Sequence, residues 1–251
     1  RGAWAGYIEP THGDFYELPN FIKNNPDIAN IGWVITDEFI EGLDAGNSDY
    51  LDRYQTMMVM KMITGKGYFF FRDKVNRLRP PAYMKHNLFV RASNLCSEIA
   101  LFSDAMHTFT CVLSSMNAAK YDEWKDTDAP YVATVFLDCV VSEFLEKARN
   151  IRGLENAVRF TEKGRALGLG VCGFHTYLQA HMMPFDSVEA FQFNDELFSR
   201  ISSEAKRASQ DMAKWWGEPE WCKDLGVRNT HNMGIAPTKS TALIMGGISE
   251  G

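Results

Sequence analysis

Apolar positions along this chain follow two periods. Residues 31–35 form a compact, β-branched apolar run, the pattern of a buried strand. Tyr68, Phe69, Phe70 and Phe71 make a strongly strand-forming aromatic block. Residues 7–10 read as a short strand. Elsewhere the period lengthens. Residues 15–23 predict a short helix, stopped by Asn24, Asn25 and Pro26. Over residues 49–63, Leu51, Tyr54, Met57, Met58 and Met62 recur at helical spacing and end at Gly65. Residues 77–92 are basic and contain proline, as in an ordered loop, and residues 109–113 look strand-like. Residues 129–149 and 154–167 predict helices. In the first of these, Val132, Val135, Phe136, Cys139, Val140 and Phe144 fall on one side, read as the core face. Residues 168–173 have the glycine spacing of a turn, and residues 191–216 a long amphipathic helix closed by Gly217. Strands alternating with helices predict an α/β fold, with parallel strands wrapped by helices.

The 251 residues suffice for a sizeable core in one or two domains. The apolar fraction of 45% and charged fraction of 23% are those of an ordinary globular protein. With a net charge of −6 and no basic tract, the chain offers no footprint for a phosphodiester backbone, so no nucleic-acid partner is expected. No stretch approaches the roughly 18 uninterrupted apolar residues of a membrane span, and no membrane partner is expected. The five cysteines are scattered, and none forms a CxxC pair. That pattern suits neither a secreted disulfide framework nor a zinc site, and it points to a reducing cytoplasm. The six histidines fall at no ligand spacing, so no metal site is expected. The start at Arg1 and the stop at Gly251 suggest a piece of a longer polypeptide.

Two constellations bring chemistry. In Asn94-Leu95-Cys96-Ser97-Glu98-Ile99, a thiol lies two residues from both an amide and a carboxylate. On an extended segment all three side chains share one face, which would gather a hydrogen-bonding amide, a redox-capable sulfur and a general base. A lone cysteine is ordinarily a small buried hydrophobe. Keeping polar neighbours around it costs about 1–3 kcal/mol per unsatisfied group, which argues for use. Cys111 follows fifteen residues on, where plain core competes with a second redox sulfur. Cys139 reads as packing, and Cys172 and Cys222 receive no role. The second constellation is Pro237-Thr238-Lys239-Ser240-Thr241, running into an apolar helix start. Open N–H groups with added hydroxyls suit a phosphate, while simple N-capping by Thr238 or Ser240 is the competing reading. No GxxxxGK[ST] loop is present. The glycines from Gly164 to Gly170 follow a helix rather than a strand. They read as a helix C-cap and close backbone packing, not a dinucleotide loop.

Taken together, these motifs resemble the large catalytic subunit of class I ribonucleotide reductase. Arg1 to Ala5, Glu9-Pro10 with His12 and Asp14, and Leu167 to Val171 with Gly173 stand in the family's order. The leucine of Asn94-Leu95-Cys96 favours class I over the cobalamin-dependent class. The resemblance implies part of a ten-stranded α/β barrel: the second five-stranded half and the finger loop, with helices outside. On this basis residues 1–251 are one partial catalytic barrel domain, truncated at both ends. Cys96 would become a thiyl radical that takes the ribose 3′-hydrogen. Glu98 would be the base for the 3′-hydroxyl, and Asn94 would orient the sugar. Cys111 would be one of two reducing cysteines, its partner lying upstream. Pro237, Thr238, Lys239, Ser240 and Thr241 would hold the substrate diphosphate, and Arg1, Gly2 and Ala3 would end the effector-relay loop. The chain itself would bind no cofactor. A metal-containing small (beta) subunit would supply the radical, and ATP or dNTP effectors would act on the full-length protein. A second large subunit and thioredoxin or glutaredoxin complete the implied partners. The alternatives are an adenosylcobalamin-dependent reductase and a non-catalytic nucleotide-binding homologue.

Overall fold

A computed structural model describes residues 4–25 and 30–251. The effector-loop assignment of Arg1, Gly2 and Ala3 lies outside the described residues. The chain divides into two compact units, residues 1–79 with 89–102, and residues 80–88 with 103–251.

The first unit is built on three parallel strands: β1 (Ala5–Ile8), β2 (Asn30–Ile35) and β3 (Tyr68–Phe71), in that spatial order. Around them run α1 (Glu17–Asn24), α2 (Asp37–Asp44), α3 (Ser48–Thr64) and α4 (Arg72–Arg77). The central strand is buried from Ile31 to Ile35, as a parallel strand covered on both faces must be. Ile31, Trp33 and Ile35 pack with Phe15, Ile22, Phe39, Met57 and Met60. Gly65 closes α3 in the left-handed region, φ +68°. No apolar period announces α2. Its signal is the cap, where the Thr36 hydroxyl accepts from Phe39 N–H at 3.2 Å ahead of Asp37 and Glu38.

The second unit begins with α5 (Pro81–Lys85), a helical turn inside the segment expected to be loop. It continues through β4 (Leu113–Asn117), α6 (Tyr121–Trp124), α7 (Ala129–Ala148), α8 (Glu155–Gly164), β5 (Gly168–Cys172), α9 (Phe174–Ala180), α10 (Val188–Trp216) and α11 (Lys239–Ile244). β4 and β5 are parallel, and Met233 bridges to Leu169 as a further parallel contact. Leu137, Val141 and Leu145 of α7 meet Leu169 and Val171 of β5 and Phe193, Leu197 and Ile201 of α10 in one core.

Two expectations are corrected here. The glycine-spaced segment is not a turn but the fully buried strand β5. Its glycines serve close approach: a Cβ on Gly170 would stand 2.4 Å from the Gly234 carbonyl oxygen, and one on Gly168 would stand 2.4 Å from Leu113 Cδ2. The turn comes only at Gly173, φ +81°. On α7 the core face is the other one. Val132 (53% exposed) and Phe136 (61%) face outward with Cys139 and Val140, whereas Leu137, Asp138 and Val141 are buried. A buried carboxylate made that face look polar. Asp138 accepts from Arg165 Nε and Nη2 (2.8 Å each), Arg228 Nε (2.9 Å) and Asn229 Nδ2 (2.9 Å). Burial alone would raise the Asp138 carboxyl, but Arg165 and Arg228 outweigh it and hold the group below its usual range. The α/β class with parallel strands is as expected.

Candidate functional site

In the first unit, Cys96 sits at a tight turn rather than on an extended run, which overturns the alternation argument. Ser97 N–H donates to the Asn94 carbonyl at 3.2 Å, and Ser97 itself takes φ +68°. The Asn94 side chain holds the turn from within, its Oδ1 accepting from the N–H groups of Glu98 and Ile99 at 3.1 Å each. This is the local role that makes asparagine a turn residue. The acceptor of Asn94 is therefore in use, and only its Nδ2 donor remains to meet a ligand. Ser93 Oγ–H donates to the Ile99 carbonyl at 2.6 Å. Below the turn, Asn76 of α4 binds both backbone groups of Val90, at 2.8 and 2.9 Å.

What the turn presents is a thiol and a carboxylate. Cys96 is exposed, and its thiol is pushed above the ordinary range by partial burial and then by the Glu98 carboxylate. It stays an S–H at neutral pH, the form with a hydrogen atom to lose and regain. Glu98 Oε2 is buried and has no hydrogen-bond partner among the described residues. An orphaned carboxylate oxygen is costly in a finished interior and suits a site that receives a hydroxyl.

In the second unit, Cys111 is exposed and precedes the sheet. The strand starts at Leu113 rather than spanning residues 109–113, and Gly168 N–H donates to the Val112 carbonyl at 2.9 Å. The hydroxyl-rich run opens α11 as expected. However, Thr238 stands in the left-handed region (φ +54°), and no side chain caps the helix. The Thr238 hydroxyl accepts instead from Gly251 N–H at 2.8 Å. The first-turn N–H groups have no partner among the described residues, and Lys239, Ser240 and Thr241 are exposed beside them. A Cβ on Gly251 would stand 2.8 Å from the Val171 carbonyl oxygen, so this turn lies by the C-terminal end of β5. Cys111 leads into the opposite, N-terminal end of β4. Sequence reasoning missed Tyr7, whose hydroxyl reaches the Cys96 turn, and the Asp138 network. Neither has a local motif to reveal it.

Among the described residues, no three His, Cys, Asp or Glu side chains converge as for a metal ion. None of the helices there is long and apolar enough to cross a membrane.

The family model for the ribonucleotide reductase barrel domain matches residues 50–221. A putative ribonucleoside-diphosphate reductase large subunit of Frog virus 3 (isolate Goorha) is 34% identical over 98% of this chain and 47% of its own length. A vitamin B12-dependent ribonucleoside-diphosphate reductase of Thermoplasma acidophilum is 29% identical over 98% of this chain and 34% of its own. Among solved structures, the Actinobacillus ureae class Id ribonucleotide reductase alpha subunit superposes with a TM-score of 0.96 at 44% identity, over 99% of this chain and 48% of that one. The chain thus spans about half the length of the Frog virus 3 and Actinobacillus ureae subunits. With more than half of its residues inside the family model, and with this superposition, the chain belongs to the ribonucleotide reductase barrel-domain family.

Proposed function

We propose that this chain carries the reducing centre of a class I ribonucleoside-diphosphate reductase large subunit. The observation that carries the reading is the Cys96 turn, where a protonated thiol stands beside a buried carboxylate oxygen that has no partner among the described residues. Cys96, oxidised to a thiyl radical, removes the ribose 3′-hydrogen. Glu98 takes the 3′-hydroxyl proton, and Asn94 Nδ2 donates to the sugar. The 2′-hydroxyl leaves as water. Cys111 and a second cysteine upstream of Arg1 give two electrons and two protons, one proton leaving in the water and one ending on C2′, and close a disulfide. Glu98 returns its proton to the 3′ oxygen, and Cys96 returns its hydrogen to C3′. The turn at Pro237, Thr238, Lys239, Ser240 and Thr241 holds the diphosphate, so that binding energy remote from the sugar orients it.

In this reading the two parallel sheets belong to a ten-stranded barrel, and residues 94–99 form the tip of its finger loop. The radical comes from a metal-containing small subunit, so this chain holds no cofactor of its own. A second large subunit completes the dimer, thioredoxin or glutaredoxin renews the thiols, and Arg1, Gly2 and Ala3 relay the effector nucleotide. The cobalamin-dependent reading draws on the Thermoplasma relative. The class I reading is favoured by higher identity to a class Id subunit that superposes over nearly the whole chain.

The test is Cys96→Ser in the full-length subunit, assayed with its small subunit. Deoxyribonucleotide formation should vanish while nucleotide affinity stays within about twofold. Retained turnover removes the proposal. Turnover that needs adenosylcobalamin and no small subunit moves it to the second reading.

A further inference from the structure

A serine at φ +68° is held there only when its surroundings determine the backbone. From inside, the Cys96 turn is tied by Asn94. From outside residues 93–99, the side-chain hydrogen bonds among the described residues come from one group, the Tyr7 hydroxyl of β1. It donates to the Asn94 carbonyl at 2.7 Å and lies 2.9 Å from Ser97 Oγ. A phenol has one proton to give, so the second bond runs the other way, with the Ser97 hydroxyl donating to Tyr7. The two anchor points flank Cys96, one on each side.

Tyr7 can reach the turn because of what stands next to it on the sheet. In the β1–β2 register it faces Gly32, and a Cβ at Gly32 would stand 2.2 Å from Tyr7 Cε1 and 2.4 Å from Cδ1. The ring lies over the position a side chain would fill, with its edge set against Phe70 at 5.9 Å between centroids. Strand pairing fixes the Tyr7 backbone, and Gly32 and Phe70 fix its ring. The hydroxyl is thereby delivered at a set height, on a rigid element rather than a loop.

We propose that Tyr7, seated on Gly32, is a positioning residue that sets the aim of the Cys96 thiol. The inference rests on the reading of Cys96 as the hydrogen-abstracting group. Tyr7→Phe keeps the ring and its contacts and removes only the hydroxyl. In the full-length subunit with its small subunit, kcat should fall about tenfold or more while KM and the melting temperature hold. Without substrate, alkylation of Cys96 by iodoacetamide, followed by mass spectrometry of its peptide, should quicken about threefold or more as the turn opens. Gly32→Ala should reproduce both changes by displacing the ring. If Tyr7→Phe lowers the melting temperature, Ser97→Ala decides instead, since it cuts one bond and leaves Tyr7 in place. An unchanged kcat or an unchanged alkylation rate overturns the inference. Should Cys96→Ser retain turnover, the reading of Cys96 fails separately, and alkylation alone still decides whether Tyr7 holds the turn.

Discussion

At residues 94–99 the N–H groups of Ser97, Glu98 and Ile99 and the carbonyls of Asn94 and Ile99 are tied within the turn or to Tyr7, whereas at residues 239–241 the side chains are exposed and no side chain caps the helix. The first turn leaves open one thiol, one amide donor and one carboxylate oxygen. The second uses the Thr238 hydroxyl on Gly251 and leaves Lys239, Ser240 and Thr241 exposed. Such a contrast suits the two tasks proposed for these turns. Hydrogen abstraction depends steeply on distance and direction, so its group is locked. A diphosphate is a large anion that open donors can grip in more than one way, so its cradle needs less rigidity.

The comparison can be broken by disturbing the unit that carries the second turn. Asp138→Ala leaves buried Arg165 and half-buried Arg228 without their carboxylate. Unfolding of the second unit should become easier by about 3–5 kcal/mol in denaturant titration. A loss under 1 kcal/mol would mean the network is solvated. Gly170→Ala drives a methyl group onto the Gly234 carbonyl, three residues before Pro237, and should cost about 1–3 kcal/mol.

Acid acts on the same unit. Burial depresses His231 to about 4. The folded state keeps it neutral while the unfolded chain protonates it near 6.5, so stability should fall as pH drops from 6.5 toward 4. Asp138, depressed in the fold, adds a further loss once pH passes below its unfolded value near 3.8. Unfolding midpoints measured from about pH 7 to about pH 2 check both, and a midpoint flat between pH 6.5 and 4 contradicts a His231 kept neutral by the fold.

How much of this was legible depends on how local each signal is. The block Tyr68–Phe71 and the helix ending at Gly65 were read within a residue or two, because each carries its own period and stop. β5 was misread because glycine spacing looks the same for a turn and for a strand pressed against its neighbours. The face of α7 was inverted because Val132 and Phe136 are apolar but exposed, while Asp138 is buried against arginines 27 and 90 residues away. Asn94, Cys96 and Glu98 stood out as an unusual cluster, although a turn and not an extended run presents them. Tyr7 left no trace, since its role exists only once Gly32 lies beside it.

The most direct test sets the two turns side by side in the full-length subunit, with kcat and KM measured for Glu98→Gln and Ser240→Ala. The account predicts that Glu98→Gln lowers kcat about a hundredfold or more with KM nearly unchanged. Ser240→Ala should raise KM about tenfold or more, the loss of one charge-assisted hydrogen bond, with kcat nearly unchanged. If both substitutions move the same constant, the division between a reacting turn and a holding turn is contradicted.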